Sequence, residues 1–135
     1  MNIEAFLLCD AATDSNGKLN VLGAFDSFFV STVPATHPFC AVVLRLRMAG
    51  AEQGEHTITL HLIDEDGKHV IQPLEGRLRV HGTASATATS NLILNMQGLK
   101  LAGFGELAFH LHIDGKPAAS LPLYIRKLPQ QAERK

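Results

Sequence analysis

The sequence predicts an all-β domain, an antiparallel β-sandwich of immunoglobulin-like or Greek-key type with about 8–9 strands. Three observations predict it. Apolar residues alternate with a period of two along short segments, most cleanly in Glu55 to Asp64 and Glu106 to Asp114. Turn signatures separate these segments at spacings of about 10 residues, among them Asn16-Gly17, Asp66-Gly67 and Asp114-Gly115. No segment carries a helical stripe long enough to hold a helix. A closed barrel is the alternative that the same pattern allows.

The first strand is expected from Ile3 to Asp10, where Ala5-Phe6-Leu7-Leu8-Cys9 is apolar on both faces. Asp14-Ser15-Asn16-Gly17-Lys18 is the sharpest turn signal, because Asn-Gly supplies the positive φ angles of a tight hairpin. Lys18 to Ala24 returns, interrupted by Gly23 at a bulge or bend, and Phe25 to Val30 resumes an extended pattern as one bent strand or two. Val33 to Pro38 reads as a loop, since each Pro removes a backbone donor. In Phe39 to Met48, Cys40, Val42, Leu44, Leu46 and Met48 form a core face opposite Ala41, Val43, Arg45 and Arg47.

After a polar turn at Ala49 to Gly54, Glu55 to Asp64 places His56, Ile58, Leu60 and Leu62 on one face and Thr57, Thr59, His61 and Ile63 on the other. His69-Val70-Ile71 is a short return arm, and Gly76 to Gly82 a short strand with Leu78 and Val80 inward. Thr83 to Ser90 contains only small residues and reads as a mobile loop. In Asn91 to Leu101 the alternation slips phase at Gly98. Glu106 to Asp114 points Leu107, Phe109, Leu111 and Ile113 inward and Ala108, His110 and His112 outward. Pro117 to Lys127 returns with Leu121, Leu123 and Ile125 inward, and Pro122 assigns it to an edge or a bulge. The organisation is a single domain over residues 1–128, followed by a polar tail at 129–135.

Composition narrows the function classes. The 135 residues are 46% apolar and 19% charged, a globular mixture sized for one core. A net charge of -1 offers no basic stripe to a phosphate backbone, and one Tyr with no Trp offers no stacking platform, so nucleic acid is not expected as a partner. The amino terminus lacks the pattern of a signal peptide, and no run approaches the roughly 20 apolar residues of a membrane helix. Cys9 and Cys40 have no metal spacing and read as buried thiols of a cytoplasmic protein.

The blocks NIEAFLLCDAA, LNVLGAFD, LHLIDEDGK and NLILNMQGLKLAGFGELAFHLHIDGK carry a family resemblance. In that order, over about residues 2 to 127, the chain resembles a family of small bacterial proteins known only as a domain of unknown function. The resemblance implies a compact all-β cytoplasmic domain and transfers no site residue. FGELAFHLHIDGKPAASLPLYI is also similar to the last hairpin of immunoglobulin-like sandwiches, although Leu107 stands where a tyrosine corner would need Tyr.

Among constellations that could carry chemistry, the histidines rank first. His110 and His112 lie two apart on one strand and project from one face, and His61 or His81 on a neighbouring strand could supply a third metal ligand. The competing reading is a polar outer face that happens to be rich in His. Asp64-Glu65-Asp66-Gly67 resembles the start of a calcium loop, but Lys68-His69 follow where further oxygen ligands belong, so a turn is expected. No serine sits in a nucleophile elbow, and Cys40 near His37 in sequence does not establish a catalytic pair. No catalytic residue and no cofactor are assigned.

The stronger functional clue is surplus apolar surface at Phe6 to Cys9 and Phe28 to Val30. A two-layer domain covers one face of each sheet, so loops or another chain must cover the rest. The expectation is a non-enzymatic module acting through protein-protein contacts as a homo-oligomer or with a protein partner. The alternative is a small metal-binding protein or enzyme using the His-bearing face. A sugar or lipid site at the loop end is a weaker third option.

Overall fold

The computed structural model describes residues 1–80 and 86–129. Nine strands form: β1 (Asn2–Ser15), β2 (Lys18–Ala24), β3 (Ser27–Val30), β4 (Ala35–Met48), β5 (Gly54–Ile63), β6 (Leu74–Val80), β7 (Ala88–Leu101), β8 (Gly105–Ile113) and β9 (Lys116–Lys127). A single 3-10 turn at Gly50–Glu52 is the helical content of the described residues. None of their helices is long and apolar enough to cross a membrane. The strands make two sheets, of order β2-β1-β4-β7 (sheet A) and β3-β9-β8-β5-β6 (sheet B). Sheet B curls into a half-barrel.

The inner faces follow the alternation in the sequence. Cys40, Val42 and Met96 from sheet A share a cluster with Leu60, Leu62, Phe109 and Leu123 from sheet B. Leu44, Leu46 and Met48 meet Ile58, Leu78, Val80 and Leu111 in a second cluster. Phe109 is fully buried, and so is Leu60 opposite Leu111 in the register. Burying one such side chain is worth roughly 1.5–3 kcal/mol. The phase slip at Gly98 is real, and β4 slips with it. His37 pairs with Leu99 and Phe39 with Gln97, so Pro38 and Gly98 face each other at the break. Both strands change phase together, and the register is kept.

Several expectations need correction. β1 runs on to Ser15 rather than ending at Asp10. The chain from Ala35 to Pro38 is already strand, not loop. Ala88 to Ser90 open β7, while residues 81–85 lie outside the described set. Of the tail expected at 129–135, residues 130–135 also lie outside it. The sheets are not wholly antiparallel, because β3 pairs parallel with β9 from Ser27↔Tyr124 to Val30↔Lys127. Pro122 therefore belongs to an interior strand, but it precedes the part of β9 that β3 reaches, so its missing N–H breaks no ladder bond there.

The largest departure concerns the outer face of sheet A. β1 pairs with β4 as far as Cys9↔Ala41, then with β2 from Cys9↔Ala24 to Ser15↔Lys18. Asp10 and Gly23 sit unpaired at this corner, and Gly23 takes φ +67°, which a residue with a Cβ enters only under strain. Beyond the corner the β1–β2 hairpin folds back across the outside of its own sheet. Ala12, Leu19 and Ile93 thereby pack on Cys9, Ala41 and Val43, each of which is 0% exposed. Asn16 and Gly17 form the two-residue turn with φ of 53° and 80°, as a type I′ hairpin requires.

Polar side chains fasten the hairpin tip. Asn91 Nδ2 donates to Asp14 Oδ2 at 3.0 Å and to the Gly17 carbonyl at 3.1 Å. Arg45 Nη1 donates to Asn91 Oδ1 at 3.0 Å and to the Gly17 carbonyl at 3.2 Å. Glu4 receives Arg45 Nε at 2.9 Å and Arg47 Nε at 2.6 Å. The two arginines thus serve the chain's own hairpin and first strand. On the second face of β1 the hairpin covers Cys9, while Leu7 on the same face stays 37% exposed; of the loop expected at 83–90, residues 83–85 lie outside the described residues.

Candidate functional site

The outer face of sheet B gathers the histidines. β5 and β8 are antiparallel neighbours whose register sets His61 across from His110 and Thr59 across from His112. With inward Leu60, Leu62, Phe109 and Leu111 buried, the odd positions of β5 and the even positions of β8 face outward. The His61 and His112 rings stand 4.8 Å apart between centroids. His69 joins them unexpectedly. The chain turns at 64–68 and bridges Ile63 to His69, which brings the His69 ring to 5.2 Å from that of His61. His81 lies outside the described residues.

His61 is the centre of this group. Its Nδ1 is buried and has no hydrogen-bond partner. Burial, followed by the neighbouring His112, His69 and His110, holds its imidazole below the ordinary range, so the neutral ring is favoured. Among the described residues, no group of three or more His, Cys, Asp or Glu converges on a point where an ion would sit. The register brings His61, His110 and His112 onto one patch, and His61 and His112 into ring contact.

The other candidates are occupied by structural work. Asp64 Oδ1 accepts from the backbone N–H groups of Asp66 and Lys68, both at 2.9 Å, so the acidic turn spends a carboxylate oxygen on itself. A cleft of about 230 Å³ lies beside it, lined by Glu65, Lys100, Phe104 and Glu106 among others. Its Glu65 carboxylate already accepts from the Glu106 N–H at 2.8 Å. This volume is below the roughly 300–1,000 Å³ of typical ligand pockets.

Cys9 and Cys40 are free and buried, on adjacent strands but opposite faces of sheet A, which accounts for the absence of a bond between them. Burial, then the proximity of Cys9 and Asp10, pushes the Cys40 thiol up to about 11, the reverse of an activated nucleophile. His37 packs on Phe28 at 4.3 Å between ring centroids.

One titrating pair had no signal in the sequence. His56 Nδ1 lies 2.6 Å from Asp114 Oδ2, and its Nε2 contacts the Glu52 carbonyl. Both acceptors are satisfied only by the doubly protonated ring. The Asp114 hydrogen bond, then the Glu52 carbonyl, raises the His56 value, and the same bond lowers that of Asp114. The Glu52 carboxylate in turn receives the amino-terminal ammonium of Met1. The pair ties the 3-10 turn to the β8–β9 turn.

A two-sheet, all-β domain with a histidine-bearing outer face is the class that these observations define. The chain belongs to the family of unknown function DUF6941, whose model matches residues 4–126, from β1 into β9. Among curated proteins, none matches the chain at a significant level.

Proposed function

We propose that the chain is a non-enzymatic, immunoglobulin-like β-sandwich module of the bacterial cytoplasm that acts through protein contacts, and that its partner is a second copy of itself. The observation that carries this reading is the unprotected edge of β2. Every β2 residue except Leu19 is exposed, with Leu22 69% and Val21 37% exposed. Natural edges are usually blunted by charge, Pro or a covering segment, whereas β2 carries one charge, Lys18, at its start.

The geometry favours a like partner. In a two-residue hairpin the closing pair Ser15↔Lys18 exchanges hydrogen bonds, and so do alternate pairs beyond it. The backbone groups of Leu19 and Val21 therefore point away from β1. Antiparallel pairing of two β2 strands about Val21 sets Val21 against Val21 and Leu19 against Gly23. The same register brings Lys18 of each copy toward the Gly23–Ala24 end of the other, where the Asp10 carboxylate borders Gly23. The two free, buried thiols suit a reducing compartment.

The test is sedimentation of the native chain and of Val21→Pro. That substitution removes an N–H aimed at the edge and no β1–β2 ladder bond. A concentration-dependent dimer that Val21→Pro converts to a folded monomer supports the reading. A wild-type monomer at every concentration, or a Val21→Pro dimer as tight as the wild type, overturns it.

A further inference from the structure

We propose that the outer face of sheet B binds a divalent transition-metal ion, zinc or copper, through His61, His110 and His112. This site is independent of self-association through β2, which belongs to the other sheet. Three features carry the inference. First, the register places the three residues as near neighbours on two paired strands, with His61 directly across from His110 and His112 two residues further along the same face. Second, two imidazoles bound to one tetrahedral ion at a metal–nitrogen distance of about 2.0–2.1 Å hold their centroids about 5 Å apart, and the His61 and His112 rings already stand at 4.8 Å. Third, the patch contains a buried ring nitrogen without a partner, Nδ1 of His61. Such a group is costly to leave unsatisfied.

The described rings form tilted pairs and not a closed cage. Closure requires the half-buried His110 side chain to change its χ1 rotamer, which swings the ring toward the other two. His69, on the 5.2 Å contact with His61, packs against the ring and is not assigned as a ligand. The site has no carboxylate among its ligands and leaves coordination positions for water, so a borderline metal fits it better than calcium or magnesium.

The test uses the full chain purified without a histidine tag. Zinc is titrated by calorimetry into the native protein and into His61→Ala, His110→Ala, His112→Ala and His69→Ala. The expected result is about one equivalent of zinc, weakened more than about tenfold by each of the first three changes, since loss of even an outer-shell partner typically costs 10–100-fold. His69→Ala should bind as the native chain does. Should a variant fail to fold, broadening by added Cu²⁺ in the native chain still reports the site, and is expected at β5 and β8 resonances around these residues. No stoichiometric binding, binding that survives all three substitutions, loss on His69→Ala with none on His110→Ala, or broadening centred elsewhere would each overturn the proposal.

Discussion

Loosening the hairpin clasp should expose Cys9. Asn91→Ala deletes three hydrogen bonds, those to Asp14 and to the Gly17 carbonyl and that from Arg45. The residues are half-buried or exposed, so each bond is worth about 0.5–1 kcal/mol, the low end of the usual net contribution, and the total is about 1.5–3 kcal/mol. Arg45 still reaches the Gly17 carbonyl, which keeps the loss from being complete. Cys9 lies under the hairpin at 0% exposure and reacts only when that cover lifts. When opening is fast relative to labelling, the rate follows the open population. With tenfold per 1.4 kcal/mol, Asn91→Ala should speed Cys9 labelling about 10- to 150-fold. The assay is disulfide-exchange labelling in a Cys40→Ala background, with global stability followed by urea unfolding. Labelling of the parent at the rate of a free thiol, or an unchanged rate in Asn91→Ala, would refute the clasp.

Other consequences follow from single side chains. The His56–Asp114 contact should titrate with a defined sign. The folded His56 value is raised, so its contribution is full below the unfolded imidazole range and is lost as pH rises through the folded value. The Asp114 value is lowered, so its share is present above the unfolded carboxylate range and fades as pH falls through the folded value. Asp114→Asn should return the His56 titration, read by NMR, toward that of an ordinary imidazole; an unchanged titration would contradict the pairing. Phe109→Ala empties the centre of the larger cluster and should cost about 3–5 kcal/mol in urea unfolding. A loss below 1 kcal/mol would place Phe109 outside a packed core. Gly23→Ala imposes a Cβ at φ +67° beside Asp10 and should destabilise by roughly 1–2 kcal/mol, with exchange accelerated first in β2.

How much the sequence discloses depends on where the cover for each strand comes from. β5 and β8 have one buried and one outward face, so their alternation identifies both the core and the histidine patch. β1 is different, because Leu8 and Cys9, which point to opposite faces, are both buried. Alternation reports that two covers exist, but not that the second is the strand's own continuation, turned at Asp10 and Gly23. The partners of Arg45 and Arg47, Glu4 and Gly17, lie far away in sequence, so no local pattern names them. The parallel pairing of β3 with β9 joins residues at opposite ends of the chain, and no local pattern encodes it. His69 was legible as a return arm but not as a neighbour of His61. The His56–Asp114 pair depends on two turns meeting at one end of sheet B. The Gly98 slip was visible, while its echo at Pro38 needed the β4–β7 register.

Methyl NOEs between Leu19 and the side chains of Val43 and Ile93 probe the folded-back hairpin most directly. Cross-peaks linking Leu19 to both are the expected result, together with protection of the Gly17–Leu19 amides. A Leu19 methyl that sees only solvent and its hairpin neighbours would mean that the outer face of sheet A stands open, and that something other than this chain covers it.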